Sequence, residues 1–480
     1  MRISHVRLFL LAPIAALVGC VVGQDYQRPE VVMPDSWRVD YSESAELINL
    51  PWWHRFEDPV LNALVATALQ ENQDVRIAAA RVEQFLGALN TTRSQFFPQV
   101  DYGGSVSRNR VSEEAFGVGP GSDPYFTQYQ AAGGVAWQID LFGRIRRQTE
   151  AAQARVYATE QARRGVILSV VTGVAASYVS LLGLDQQLMI SRETLDTYAG
   201  TLRIFELRHA GGVVSMVELS QVRSEYQRAL AQIPTLEAQV AAQENLLSIL
   251  IGRDPAPILR GRKIDELARP EVPSSLPSSL LVRRPDVVQA EQNLIAANAQ
   301  VGVAESLYYP DISITGDYGA ASSDLDDFLD SSARQWGIAG NIVGPIFTAG
   351  GIAGQVRSAE AARESALQSY RQTIINALRE VNDALINTKK STETFEALVG
   401  RVDALREFSR LSFLRFENGA ASYLEVLYAN EQLFDAELTA VQAQAATFNA
   451  LIDVYKSMGG GWVDQAVRMA PLPEEVVSNN

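Results

Sequence analysis

The chain carries one plan twice, and a repeat unit this long constrains the fold more than any single motif. Asp74-Val75 opens a helical stretch that ends in Phe96-Phe97-Pro98-Gln99-Val100. Asp286-Val287 opens another that ends in Tyr308-Tyr309-Pro310-Asp311-Ile312, each landmark lying 212 residues further on. The run Arg208-His209-Ala210-Gly211-Gly212-Val213-Val214-Ser215 returns 207 residues later as Arg415-Phe416-Glu417-Asn418-Gly419-Ala420-Ala421-Ser422. The halves also close alike, on Ile251-Gly252 and Met458-Gly459. Solenoid modules repeat every 20–50 residues or so. A unit four or more times longer is a whole fold element, so function is to be sought in the shape that two copies build.

Residues 1–19 have the pattern of a secretory signal: Arg2 and Arg7, an apolar run from Leu8 to Val18, then a small residue. The run is short for a membrane span, and Pro13 interrupts it. Cys20, the only cysteine, follows directly. Leu17-Val18-Gly19-Cys20 resembles the lipobox of bacterial lipoproteins, which implies an acylated Cys20 as the mature N-terminus and no disulfide within the chain. Val21, rather than Asp, at the next position favours sorting to the outer membrane. Removing residues 1–19 takes two bases and no acid, so 39 bases face 56 acids and the formal charge moves from −15 to −17. A surface this acidic argues against nucleic acid as a partner.

Along the mature chain, residues 20–57 read as an extended segment punctuated by Pro29, Pro34 and Pro51. Asp58-Pro59 gives an N-cap with proline at the first helical position, predicting a helix from there to about Ser94. The period then changes to two. Val100, Tyr102 and Val106 alternate with Asp101, Gly103, Ser105 and Ser107, and Tyr129 to Leu141 continues the alternation. The second half repeats it with Ile312, Ile314 and Tyr318, then Trp336, Ile338 and Ile342. Each run is long enough to cross a bilayer as a tilted strand of about 9–11 residues. Their alternation fits a transmembrane barrel and equally a soluble hairpin. Loops joining the strands are expected at Arg108–Phe126 and Ala320–Arg334.

Very long helices follow each hairpin. Gly143 to Arg208 contains no proline and would span about 100 Å if unbroken. Met216 to Leu250 forms its return, disturbed only by Pro234, with counterparts at about 351–414 and 423–457. Periodic runs of this length indicate coiled coils. The organisation is thus a first repeat over 58–252 (hairpin about 99–141, tip about 208–215), a proline-rich connector over 253–285, a second repeat over 286–458 (hairpin about 311–344, tip about 415–422) and a tail over 459–480. The fold class is mainly α with a transmembrane β-barrel portion. Four strands cannot close a barrel, since such barrels begin at about eight, so the chain is expected to oligomerise through its strands.

Several motifs identify a relationship. Asp25-Tyr26-Gln27-Arg28-Pro29 with Trp37-Arg38, Trp52-Trp53-x-x-Phe56-x-Asp58-Pro59-x-Leu61, Asp140-Leu141-Phe142-Gly143, Arg283-Arg284-Pro285-Asp286-Val287 and the paired Arg-x-x-x-Gly-x-x-Ser turns resemble the TolC/OprM-type outer-membrane factor family, in its lipidated branch. The resemblance implies a homotrimer with a twelve-stranded barrel in outer-membrane lipid and an α-helical periplasmic barrel. It further implies a passive exit duct for small molecules, joined by a periplasmic adaptor to an inner-membrane transporter of the resistance-nodulation-division type. The alternatives are a channel for protein secretion or a periplasmic coiled-coil scaffold.

The turns at Gly212 and Gly419 require glycine where the chain reverses, and Ser215 and Ser422 are placed to cap the returning helices. The resemblance implies that Arg208, Gly212, Ser215, Arg415, Gly419 and Ser422 form tips that meet the adaptor. Glu218 and Glu425, again 207 residues apart, sit where a carboxylate meets a helix N-terminus favourably. The resemblance implies that Glu425 belongs to a constricted gate, with Glu218 and Tyr428 beside it and Arg208 and Arg415 as basic partners. Relatives often carry a second aspartate where Tyr428 stands, so a single acidic ring beside an aromatic one is expected. No catalytic cluster, cofactor motif or metal-ligand spacing is apparent. Only His54 and His209 follow the signal, and Gly117, Gly119 and Gly121 lie between strands, not before a helix as a phosphate loop requires.

Overall fold

The computed structural model describes residues 21–39, 51–112, 123–272 and 277–471. The signal stretch, Cys20 and the glycines at 117, 119 and 121 lie outside the described residues. Duplication is visible in the element lengths. Helices α1 (Pro59–Glu71) and α2 (Gln73–Ser94) lead into strands β1 (Gln99–Arg110) and β2 (Tyr125–Ile139). Helix α3 (Arg144–Ala210) has 67 residues and its return α4 (Met216–Leu250) has 35. After the connector come α5 (Pro285–Ser306), β3 (Asp311–Ser322) and β4 (Arg334–Val343). Then follow α6 (Gly351–Glu417), also 67 residues, α7 (Tyr423–Met458), 36 residues, and a short α8 (Trp462–Met469). Pro234 does not end α4.

Two compact units divide these elements. The first contains the described residues up to Glu30, Gln84–Ala158 and Ala290–Tyr370; the second contains Val31–Glu83, Thr159–Gln289 and the rest from Arg371.

The first unit holds an antiparallel sheet in the order β1-β2-β3-β4. The hairpin of each half joins the other through β2 and β3, so β1 and β4 are open edges. Register puts Tyr102, Gly133, Tyr318 and Trp336 in one row, and Asp101, Gly134, Asp317 and Gly337 in the next row on the opposite face. Among the described residues, none covers the apolar face. Tyr102 is 93% exposed, Val100 77%, Trp336 73% and Ile338 76%. An uncovered apolar sheet face of this size belongs against lipid. The strands outrun the expected loop boundaries: β1 continues through Arg108 and Arg110, β2 begins at Tyr125, β3 reaches Ser322 and β4 begins at Arg334. Ladder hydrogen bonds do not need apolar side chains, so pairing extends past the apolar band.

The second unit is held by a core built around Trp52, Trp53 and Phe56, all essentially buried. Trp52 stacks on Tyr455 at 5.1 Å and meets Trp462 edge-on at 6.0 Å. The apolar middle of α3, including Val171, Val174, Tyr178 and Leu181, packs into this core. Its hydropathy would suit a membrane span, but most of that window is buried in protein.

Asp58 is the N-cap of α1. It accepts hydrogen bonds from the amides of Val60 and Leu61, from the Tyr178 hydroxyl at 2.9 Å and from the Arg262 amide at 2.9 Å. The expected continuous helix from 58 to 94 is broken at Asn72, whose ψ of 129° is not helical. Its side chain accepts from the Val75 amide and donates to Leu250 O, so one residue caps α2 and ties it to the end of α4.

Replacing Asp58 by Ala strands four donors in a fully buried site and is expected to cost about 3 kcal/mol or more. Asp58→Asn, which keeps an acceptor, should lose less; equal thermal midpoints for the two variants by circular dichroism would contradict this.

Candidate functional site

Two regions gather the residues singled out in the sequence. One is the base of the sheet in the first unit, and the other is the pair of helix tips in the second.

At the base, the family motifs act as clamps. Asp140 accepts from the amides of Ile145 and Arg146, both at 2.9 Å, and so starts α3. Gly143 has φ +80°, and a Cβ there would lie 2.8 Å from Val21, so glycine is required for both conformation and contact. The N-terminal segment then runs along α5. Val22 N donates to Phe142 O at 3.1 Å, and Gly23 packs on Gly302. Asn298 donates to Gln24 O, while Tyr26 and Arg28 both donate to Glu291. Arg147, buried to 4% exposure, binds Val22 O and Gly23 O and pairs with Asp25 and Glu150. Asp25-Tyr26-Gln27-Arg28 is therefore a strap, and its partners Arg147 and Glu291 lay outside every motif. In the second unit Arg284 is similarly buried and spans Asp286, Glu380 and Ser457 O.

Both tips are the same turn. At the first, Val213 N donates to Arg208 O at 2.8 Å and Gly212 N to His209 O at 2.9 Å. At the second, Ala420 N donates to Arg415 O and Gly419 N to Phe416 O at the same distances. This is the double bond of a Schellman motif. Gly212 and Gly419 both have φ +72° with open space where a Cβ would stand. Arg, Gly and Ser in the repeated signature are thus the third residue from the end of one helix, its left-handed cap and the start of the next.

The two turns differ in their carboxylates. Ser215 accepts from the Glu218 amide, and the Glu218 carboxylate accepts from Ser215 N at 2.8 Å, closing a capping box. The hydrogen bond donated by the Ser215 backbone N–H lowers the Glu218 carboxyl below its ordinary value of 4.5. Ser422 has N-cap geometry but its side chain makes no capping bond. Glu425 is drawn away instead, to Arg415 Nη1 at 2.7 Å and the Ser412 hydroxyl at 3.4 Å. Arg208 forms no corresponding pair with Glu218. Tyr428 is more than half exposed and meets Phe408 edge-on at 6.5 Å.

The tips pack together through Tyr198 and Phe205 of α3, Leu219 and Val222 of α4, and Tyr423 and Val426 of α7. Phe205 and Tyr423 rings lie 4.5 Å apart. Above this cluster Arg228 of α4 pairs with Glu431 at 2.5 Å and Asp435 at 3.0 Å, both on α7, and approaches Glu225. Burial works against the Arg228 charge, but Asp435, Glu225 and Glu431 outweigh it and hold the guanidinium protonated. Burial pushes the Glu225 carboxyl up against the pull of Arg228. Sequence reading missed this link, although a signal existed: Asp435 lies 207 residues from Arg228, the tip-to-tip offset, so equivalent repeat positions carry opposite charges.

Four strands with an uncovered apolar face, together with two long helical hairpins, define a membrane-inserted strand protein with a large helical extension. The chain belongs to the outer membrane efflux protein family, whose model matches residues 64–253 and 276–460. It is 32% identical over 467 residues to the solvent efflux pump outer membrane protein SrpC of Pseudomonas putida, covering 95% of this chain and 98% of that one. It is 29% identical over 464 residues to the probable outer membrane lipoprotein SilC of Salmonella typhimurium, with 95% and 99% covered. The open state of the Neisseria gonorrhoeae MtrE outer membrane channel superposes with a TM-score of 0.85 at 26% identity, covering 92% of this chain and 99% of that one. This is an outer-membrane efflux protein of the TolC/OprM type.

Because the folded Glu218 carboxyl lies below its unfolded value, the capping box contributes stability above that value and loses it as pH falls through the folded one. Protection of the Ser215 amide, taken relative to its intrinsic exchange rate at each pH, should therefore be constant near neutral pH and decline only below about pH 4.5. Glu218→Gln should remove that acid limb, and an unchanged profile would contradict the assignment. Arg228→Met should speed exchange in the first turns of α4 and α7 at neutral pH, an effect absent if the pairs to Glu431 and Asp435 contribute nothing.

Proposed function

We propose that the chain is the passive exit duct of a tripartite efflux pump, exporting small toxic molecules such as solvents or antibiotics. The observation that carries this reading is the sheet with one uncovered apolar face and two open edges. In lipid, unsatisfied backbone groups on β1 and β4 cost several kcal/mol each, so β4 of one copy pairs with β1 of the next. Three copies close twelve strands, wide enough to leave a lumen. The helices continue the duct into the periplasm, and an acylated Cys20 anchors it. A coiled-coil scaffold would leave the apolar sheet face unexplained. The curated relatives quoted above are named for solvent efflux and as a lipoprotein, which supports small molecules over secreted proteins as cargo. The protein is not an enzyme on this reading, and the energy comes from an inner-membrane transporter, of the resistance-nodulation-division type, through a periplasmic adaptor.

The tips at Arg208–Ser215 and Arg415–Ser422 receive the adaptor. Their glycines have open space around them, so a larger side chain projects outward into any partner. Glu425, held by Arg415, and Tyr428 line the periplasmic gate, with Glu218 fixed in its capping box at the neighbouring tip.

Purified protein should run as a heat-resistant trimer and conduct ions in planar bilayers; a monomer without conductance would overturn the duct. Gly212→Trp and Gly419→Trp should abolish drug resistance while trimers and conductance persist. Glu425→Ala should weaken cation selectivity and raise open probability, and unchanged currents would remove Glu425 from the gate.

A further inference from the structure

The two halves are in step at their helices and out of step in their sheet. Helices α2 and α5 end at Ser94 and Ser306, and Pro98 and Pro310 follow, both pairs 212 residues apart. Helices α3 and α6 start at Arg144 and Gly351, 207 residues apart. Each start follows a glycine of left-handed φ, Gly143 at +80° and Gly350 at +84°. The ladder matches other residues. The row Asp101, Gly134, Asp317, Gly337 sets β3 at 216 residues beyond β1 and β4 at 203 beyond β2. Relative to the helices, the second hairpin is therefore stepped by four residues along its strands.

Four residues are about 13 Å along a strand, taken here over two strand spacings of about 4.8 Å each. Closing a sheet into a barrel demands such a step, because tilted strands must shear in register. The base of the sheet shows how a step is filled. The β1–β2 ladder ends at Gln99 and Ala136, but β2 runs on to Ile139, paired there only with β3. Ile139 opposes Ile312. The β3–β4 ladder ends likewise, at Asp311 and Val343. Beyond it the chain continues through Gly344-Pro345-Ile346-Phe347, with Ile346 fully exposed and Phe347 88% exposed. Ile346 stands 207 residues after Ile139. Val100, exposed on the open edge β1, stands 212 before Ile312. The over-run of β4 therefore finds its matching partner only on the far edge of the sheet, out of reach within one chain. A second copy supplies it.

We propose that the seam between copies repeats the β2–β3 junction. Ile346 then opposes the partner subunit's Val100, Ile338 the partner subunit's Arg108, and Trp336 the partner subunit's Arg110. Opposed residues must share a face, so the nearest competing registers lie two residues away in either direction. The inference rests on the duct reading, in which copies meet edge to edge, and names the residues that meet. It also gives the segment from Gly344 to Phe347 a task, as the footing on which the next copy's β1 begins.

Cysteine pairs across the seam test the register, oxidised in the assembled full-length protein and read on non-reducing denaturing gels. Directly opposed Cβ atoms lie about 4.5–5.5 Å apart and diagonal ones about 7–8 Å, while a disulfide needs about 3.5–4.5 Å. Ile338→Cys/Arg108→Cys and Ile346→Cys/Val100→Cys should shift most chains from the mass of one chain to that of two and three. Ile338→Cys/Val106→Cys, Ile338→Cys/Arg110→Cys and each single variant should stay at one; Cys20 is the only native cysteine. Should the first variant fail to assemble, Ala339→Cys/Ser107→Cys reads the same register on the other face. Links confined to the 106 or 110 pair, or no link in a trimer that conducts like wild type, would overturn the proposal and leave the duct intact. A wild-type protein that is monomeric and does not conduct would overturn both.

Discussion

Backbone hydrogen bonding in hydrocarbon governs this molecule. A strand edge exposed to lipid leaves its amides and carbonyls without partners, and no side chain can compensate. The sheet joins the hairpins of the two halves through β2 and β3, which moves the problem to β1 and β4 without removing it. Every larger feature follows from that deficit: a chain with an incomplete barrel must find copies of itself, and its helices are then arrayed around a common axis.

The motifs that identify the family turn out to be mechanical. Asp140 starts α3, Asp58 starts α1 while holding Tyr178 and the Arg262 amide, and Arg284 ties Asp286 and Glu380 to the end of α7. Each is a charged group with limited exposure and several hydrogen bonds, drawn from more than one segment at Asp58 and Arg284, the condition under which burying charge is tolerated. Such residues fix where long helices begin, and in a helix the starting point determines which side faces inward along the whole length.

Much of this was legible in the sequence because periodicity leaves little freedom. The two faces of each strand follow from a period of two, and a slip of one residue would invert them all. Glycine at a helix reversal announced both tips. What escaped the reading was long-range or local in a different sense. Arg108 and Arg110 look like loop residues by polarity, yet their backbones remain in the ladder. Asn72 breaks a helix through an unusual ψ that a polar run does not announce. Glu218 and Glu425 occupy equivalent positions and serve different partners, because only Arg415 reaches its acid. The Arg147 and Glu291 clamps depend on a strap whose path along α5 no periodic pattern encodes.

The equal lengths of α3 and α6, 67 residues each, carry an evolutionary consequence. Each residue removed from a helix withdraws its end by about 1.5 Å and rotates it by about 100°. Deleting one residue from α3 alone would swing Phe205 away from Tyr423 and put the neighbouring tips out of level. Length changes in this family should therefore be accepted as paired events in both halves, or in steps that restore the helical face. The duplication thus acts as a lasting restraint: the two copies must drift in sequence while remaining matched in measure.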